Sequence, residues 1–319
     1  MGRAKVGLLL IAVICFLSLS RAEGVVRPDR EVGSSEAGWN AVIGYNLDLD
    51  ESEEVICTGA LISSRVVLTA AHCFLDIPED EMEGLEVGVG LRDFELHDGV
   101  LYKPVAVVYH GKYKRAMSYD IFGYDGEIIE SVVGDVREGE NDYDSDIAVV
   151  LLNKDVKGIK PVRLPFSKSY KPRSNWRVYG WGVTGENEDI FPRKLLTAKQ
   201  EDFTDKYNKE KGVILENVYA AYSVTENGAS GTCWGDSGGP LIDGKGVLIG
   251  ITSFSEAESC SALMPTFFTS VASNLDWIKY ASSVAKGYGS VYLRNDVISP
   301  GLSYIVGLEL PPLIAKPVA

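Results

Sequence analysis

From Ala41 to Ile251 the apolar residues come in short runs, each closed off by Gly, Asp, Ser or Pro. The clearest are Ala41-Val42-Ile43, Gly59-Ala60-Leu61-Ile62, Val66-Val67-Leu68, Val105-Ala106-Val107-Val108, Ile147-Ala148-Val149-Val150-Leu151 and Val247-Leu248-Ile249-Gly250-Ile251. Runs this short cannot fill the face of a helix but suit strands. Many of them joined by turn residues predict an all-β sandwich or barrel. A helical period appears only over Val271 to Val284, where Val271, Leu275, Ile278 and Ala281 fall on one face. The stretch from Tyr113 to Tyr143 is rich in Gly and acids and reads as a long surface loop.

Residues 1–22 carry Arg3 and Lys5, then an apolar run from Val6 to Leu19, then Ser20-Arg21-Ala22. A charged start, an apolar core too short to span a bilayer and small residues at the cleavage point predict a removable signal peptide. Residues 23–30 are then a candidate propeptide, 31–285 the folded domain and 286–319 a C-terminal extension. That extension contains Pro300, Pro311, Pro312 and Pro317; with Glu309 and Lys316 they interrupt its apolar stretch, which does not read as a membrane span. A secreted, extracellular protein is expected.

Cys15 leaves with the signal, and Cys57, Cys73, Cys233 and Cys260 remain. Four cysteines in an exported chain suggest two disulfides, with three pairings open to counting alone. His72, His97 and His110 form no zinc-ligand pattern with them. The acidic stretch Asp76 to Glu86 shows no clear calcium spacing either, so no metal and no cofactor are expected. The formal charge of −14 disfavours nucleic acid and anionic membranes as partners.

Gly235-Asp236-Ser237-Gly238-Gly239-Pro240 is the most informative string. A serine hydroxyl attacks a carbonyl only when a base removes its proton and the oxyanion is stabilised. Flanking glycines let backbone N–H groups approach that oxyanion, although the same string could be a plain turn. Two further blocks supply a base and an acid: Leu68-Thr69-Ala70-Ala71-His72-Cys73, and Tyr143-Asp144-Ser145-Asp146-Ile147-Ala148. Alone, His72 would be read as a structural histidine and Asp146 as a strand-end residue. Together they stand in the order His, Asp, Ser.

These blocks resemble those of the chymotrypsin/trypsin family of serine proteases, and the likeness runs from about Glu31 to Ala281. Cys57-Thr58-Gly59-Ala60-Leu61-Ile62, Tyr179-Gly180-Trp181-Gly182, Phe267-Phe268-Thr269-Ser270-Val271 and Trp277-Ile278 extend it. The resemblance implies two six-stranded antiparallel β-barrels with a C-terminal helix and an active site between the barrels. It implies disulfides Cys57–Cys73 and Cys233–Cys260. It implies Ser237 as nucleophile, His72 as general base and Asp146 as its partner, with Asp144 the rival acid. The N–H groups of Gly235 and Ser237 would form the oxyanion hole. His97 and His110 have no such context and read as structural or surface residues.

By the same resemblance, the substrate pocket is built from Gly231, Thr232, Ser253, Phe254, Ser255 and Thr266. Gly231 stands where trypsins keep the acid that pairs with a substrate Lys or Arg. A neutral pocket cannot compensate a buried cation, and Ser255 and Thr266 stand where the family keeps pocket-wall glycines and intrude on it, so a small or medium apolar P1 residue is expected. Family zymogens pair a freed N-terminal ammonium with the acid before the serine, here Asp236. A cut after Arg30 would release Glu31, whose carboxylate is costly to bury there. The reading is therefore a secreted monomeric endopeptidase acting on protein or peptide substrates. Its rivals are a homologue that binds without turnover and an esterase using the same acyl-enzyme chemistry.

Overall fold

A computed structural model of the chain describes residues 28–47, 54–75, 77, 81, 84–110, 113, 118–122, 128–133, 145–184, 191–225, 228–255, 264–294 and 304–308. The first half contributes β1 (Arg30–Glu31), β2 (Asn40–Tyr45), β3 (Glu54–Ser63), β4 (Val66–Thr69), α1 (His72–Leu75), β5 (Glu86–Val89), β6 (Val100–Tyr102), β7 (Pro104–His110), β8 (Ser118–Phe122), β9 (Ile128–Val133) and β10 (Ala148–Leu152). The second contributes β11 (Trp176–Gly180), β12 (Leu196–Asp202), α2 (Thr204–Lys211), β13 (Val218–Thr225), β14 (Gly228–Ser230), β15 (Pro240–Ile242), β16 (Leu248–Ser255), β17 (Thr266–Ser270), α3 (Leu275–Arg294) and β18 (Tyr304–Leu308).

The short apolar runs became strands because each has two apolar faces to bury. All four residues of β4 and all five of β10 are buried, and they pair antiparallel at the centre of the first sheet. Ile43, Leu61, Leu68, Leu85, Ile147 and Leu151 are fully buried within this core, each contributing roughly 1.5–3 kcal/mol of apolar transfer. The first sheet runs β18-β7-β10-β4-β3-β2-β5-β6 and stays open as a half-barrel. In the second, β12, β11, β15, β16, β17 and β13 form a ring, closed where β13 returns to β12. The two-barrel, all-β architecture expected from the sequence is present, with closure complete only in the second barrel among the described residues. Trp181 joins the two. Its indole is fully buried, donates to Asn40 Oδ1 at 2.9 Å, and stacks obliquely on Phe94 at 4.7 Å.

Four elements differ from expectation. The Tyr113–Tyr143 stretch contains the hairpin β8–β9. Its acids and glycines dilute two β-prone segments, Ser118-Tyr119-Asp120-Ile121-Phe122 and Ile128-Ile129-Glu130-Ser131-Val132-Val133, below notice as a composition. α2 was not expected because it buries no residue and so shows no apolar period; Gly212, with φ 69°, ends it. The terminal helix starts at Leu275, after the turn held by Asn274 Nδ2 on Ser270 O (2.9 Å), and runs beyond Val284 to Arg294. The C-terminal extension adds β18, which pairs parallel with β7. No described helix is long and apolar enough to cross a membrane. The leader, Asp144, Cys260 and most of Asp76–Glu86 lie outside the described residues.

Candidate active site

β4 ends at Thr69, and two buried alanines carry the chain into α1, which opens on His72. The Cys57–Cys73 disulfide fastens this single helical turn to β3, across a Cα–Cα distance of 6.2 Å. Thr69 Oγ1 donates to Thr58 O at 2.8 Å and keeps β3 and the helix start in register. His72, Cys57 and Cys73 cluster closely enough to suggest a metal site. Both sulfurs are bound in the disulfide, however, and neither is a thiolate ligand.

Asp146 enters from the other side, one peptide before the buried Ile147 that leads into β10. Its side chain is 2% exposed. His72 Nδ1 lies 2.7 Å from Oδ2, the His72 backbone N–H donates to Oδ1 at 3.0 Å, and Ser253 Oγ donates to Oδ2 at 2.6 Å. An ionised carboxylate only accepts, so Nδ1 carries the proton and Nε2 is the unprotonated ring nitrogen. Burial alone would raise the Asp146 carboxyl. The His72 charge and the hydrogen bonds from His72 and Ser253 outweigh it and hold the group below the ordinary aspartate range.

The Ser237 turn belongs to the second barrel but is gripped by the first. Thr58 N donates to Ser237 O at 2.8 Å, and Thr58 Oγ1 donates to Gly235 O at 2.7 Å. With those carbonyls fixed, the N–H groups of Gly235 and Ser237 have no protein acceptor among the described residues. Gly235 takes φ 93° and Gly238 φ 76°, left-handed values that only glycine adopts without cost. Ser237 itself is half-buried, within reach of solvent and of a substrate.

Asp236 points the opposite way, into a socket with no solvent exposure. Gly180 and Gly182 make the room, because a Cβ on either would strike its carboxylate. The carboxylate accepts from Gly182 N and Cys233 N, both at 2.9 Å, and meets no cation among the described residues. Burial therefore dominates the two hydrogen bonds and pushes the group up to about 7. The unfolded carboxyl ionises near 3.8 and the folded one near 7, so the folded state holds the extra proton between those values. Stability from this group is full below about pH 4 and is lost as pH rises to 7, on the order of 4 kcal/mol in all. Asp236→Asn should flatten that slope. The check is the urea midpoint of variant minus parent at several pH values; a difference independent of pH from 4 to 7 would contradict the socket chemistry.

Beside the serine turn, Thr232 Oγ1 and Thr266 Oγ1 meet at 3.0 Å, joining the two walls expected to flank the pocket. Gly231 and Thr266 are buried, Ser255 Oγ bonds Pro265 O at 3.3 Å, and Phe254 lies flat on Phe267 with centroids 4.4 Å apart. Ser253 differs from its expected role in one respect: its hydroxyl is committed to Asp146. Cys233 is disulfide-bonded, while Cys260 is outside the described residues. His97 sits in a left-handed turn at the surface, and His110 packs on Trp277 at 5.1 Å. Reading the sequence missed Thr58, whose neighbours Cys57 and Gly59 drew attention as a motif without revealing its hydrogen bonds. It also missed Trp234, 65% exposed and next to Gly235 in the chain, and Phe191, which abuts Gly235.

Comparison with known proteins agrees with this fold. The family model described as Trypsin matches residues 32–278. The chain is 29% identical to granzyme M of Rattus norvegicus, over 74% of this chain and 83% of the relative. It is 28% identical to kallikrein-8 of Mus musculus, over 85% and 92%. Among solved structures, neuropsin, a serine protease of mouse brain, superposes with a TM-score of 0.59 at 25% identity, covering 79% of this chain and 98% of that one. The chain belongs to the chymotrypsin/trypsin family and is a serine-type endopeptidase.

Proposed function

We propose that Ser237 is the nucleophile of a secreted endopeptidase, with His72 as base and Asp146 as the group that orients it. The observation that carries this reading is the His72 Nδ1 contact with Asp146 at 2.7 Å in a carboxylate site closed to water. Nε2 then takes the Ser237 proton as Oγ bonds to the scissile carbonyl carbon. The tetrahedral oxyanion is received by the Gly235 and Ser237 N–H groups. Collapse expels the amine, which takes the proton from His72, and leaves an acyl-serine. Water, deprotonated by His72, attacks the ester and releases the acid. Asp146 stays ionised and stabilises the imidazolium throughout.

Residues 1–22 act as a signal peptide in this reading, and Cys233 pairs with Cys260. The P1 residue is small or medium and apolar, because the Thr232–Thr266 hydrogen bond narrows a pocket that has no acid at Gly231. Thr266→Gly should widen it. Relative to an alanine P1 peptide, kcat/KM for a phenylalanine P1 peptide should rise at least about tenfold, the scale of one or two methylenes in an apolar pocket. A parent enzyme that cuts after Lys or Arg would overturn the pocket assignment.

A second reading, a homologue with little turnover, is favoured by Asp236, which lies buried and meets no cation among the described residues. Asp29, Arg30, Glu31 and Val32 are tied to β12 and its approach: Asp29 N and Val32 N donate to Thr197 O and Leu195 O, and Glu31 meets Lys194 at 3.0 Å. A cut after Arg30 would have to break this strand before Glu31 could reach Asp236. The deciding experiment is fluorophosphonate labelling of the secreted protein, with N-terminal sequencing of the labelled band. Labelling on the Ser237 peptide supports the first reading and identifies the working N-terminus. Absence of labelling, also after trial proteolysis, supports the second.

A further inference from the structure

Thr58 is fully buried in β3, between the disulfide-bonded Cys57 and Gly59. Its hydroxyl has two contacts, both outside its own strand. Trp181 N donates to Oγ1 at 3.3 Å, and Oγ1 donates to Gly235 O at 2.7 Å. One lone pair receives the Trp181 N–H, so the hydroxyl proton is left for the carbonyl, at the usual length of an O–H···O bond.

The carbonyls of Trp234, Gly235, Asp236 and Ser237 follow one another through the serine turn. Val183 N, Gly239 N and Thr58 N hold the first, third and fourth, at 2.8, 2.9 and 2.8 Å. Gly235 O is the one that depends on a side chain among the described residues. It also belongs to the residue with the most backbone freedom, since Gly235, at φ 93°, has no Cβ to limit rotation. The Gly235–Asp236 peptide links the two peptides that carry the Gly235 and Ser237 N–H groups, so its orientation sets how those donors are aimed relative to each other. Asp236 N holds its other end, donating to Cys233 O at 3.0 Å. Without the hydroxyl, Gly235 O would be a buried carbonyl lacking a donor. That cost is relieved by turning the peptide toward water, about the remaining bond to Cys233 O.

We propose that Thr58 is a positioning residue for the oxyanion hole: from the first barrel, its hydroxyl locks the Gly235–Asp236 peptide so that the Gly235 and Ser237 N–H groups point at one oxygen. This rests on the reading of those two groups as the oxyanion hole. Thr58 touches no reacting atom and acts through Gly235. Its backbone N–H, on Ser237 O, would grip the turn whatever the side chain; the hydroxyl adds the aim.

The test compares full-length Thr58→Val, which keeps the branched shape and loses the hydroxyl, with Thr58→Ser, which keeps the hydroxyl and loses the methyl. On peptide substrates Thr58→Val should lower kcat at least about tenfold with KM within about threefold, and Thr58→Ser should recover kcat to within about threefold of the parent. A peptide trifluoromethyl ketone, whose adduct with the nucleophile bears an oxyanion, should lose affinity in step with kcat. Parent-like kcat in the valine variant, or equal losses in the valine and serine variants, would overturn the inference. Residue-resolved amide exchange tests the same lock without turnover. The Asp236 and Gly239 amides should exchange at least about tenfold faster in Thr58→Val alone, with β4 and β10 at parental rates. Unchanged exchange in the turn, or faster exchange throughout the first barrel, would also overturn it. Localised acceleration in a chain that neither cleaves peptides nor takes a fluorophosphonate would leave the positioning role standing and remove the catalytic reading instead.

Discussion

Ser237→Ala is expected to lower kcat about 10⁶-fold, and Asp146→Asn about 10⁴-fold, with KM little changed in both. The two losses have different origins. On the proposed mechanism alanine removes the atom that becomes covalently bound, and only binding and the backbone N–H groups of residues 235 and 237 remain to assist water. Asparagine keeps the shape but changes the bonding at three donors. His72 N, His72 Nδ1 and Ser253 Oγ all meet Asp146 oxygens in the parent. An amide presents one oxygen and an N–H₂ group, so the ring is driven to the tautomer in which Nδ1 accepts and Nε2 holds the proton. That histidine cannot serve as base. Because Asp146 is held below the ordinary aspartate range, its own titration does not shape the activity near neutral pH. Single-turnover kinetics on a small ester, which needs no leaving-group subsite, measures both variants. An Asp146→Asn enzyme within tenfold of the parent would exclude Asp146 as the orienting acid and return Asp144 to consideration.

What could be read in the sequence and what could not divide along a physical line. The Gly-Asp-Ser-Gly-Gly string, the Ala-Ala-His-Cys block and the aspartate opening β10 were legible because chemistry dictates both their residue types and their immediate neighbours. The buried strands were legible because β10 is apolar throughout and β4 is apolar up to Thr69. Thr58 was not, since a threonine holding two carbonyl–donor contacts in another barrel looks in sequence like any strand threonine. The Ser253 hydroxyl on Asp146 joins residues 107 apart in the chain, and no local pattern records such a pairing. β8–β9 and α2 escaped because neither carries an apolar face on a regular period. β18 escaped because five residues in an apolar, proline-flanked stretch suit several structures, and only the open edge of β7 selects a strand.

Gly238→Ala should do more damage to the fold than any other single methyl added near the site. Two costs combine. At φ 76° an alanine is strained by roughly 1–2 kcal/mol. The added Cβ would also strike Thr69 Oγ1 and lie 2.5 Å from Thr58 O and 2.9 Å from Ala70 N. Two of these three are backbone atoms at the junction of β3 and β4, so no rotamer change relieves the clash. Thr69 Oγ1 cannot withdraw without giving up its bond to Thr58 O, and Thr58 is the residue that fixes the carbonyls of Gly235 and Ser237. The barrels must therefore separate locally at the point where they share the site. A loss of more than about 4 kcal/mol is expected, in the range reserved for strained or overpacked core positions. The same methyl at Gly212, with φ 69° but nothing within 4 Å, carries the strain alone. Urea unfolding of Gly238→Ala beside Gly212→Ala separates the clash from the strain. Equal midpoints would mean that the barrels meet less tightly at Gly238 than this packing requires, and that Ser237 is held in place by its own turn.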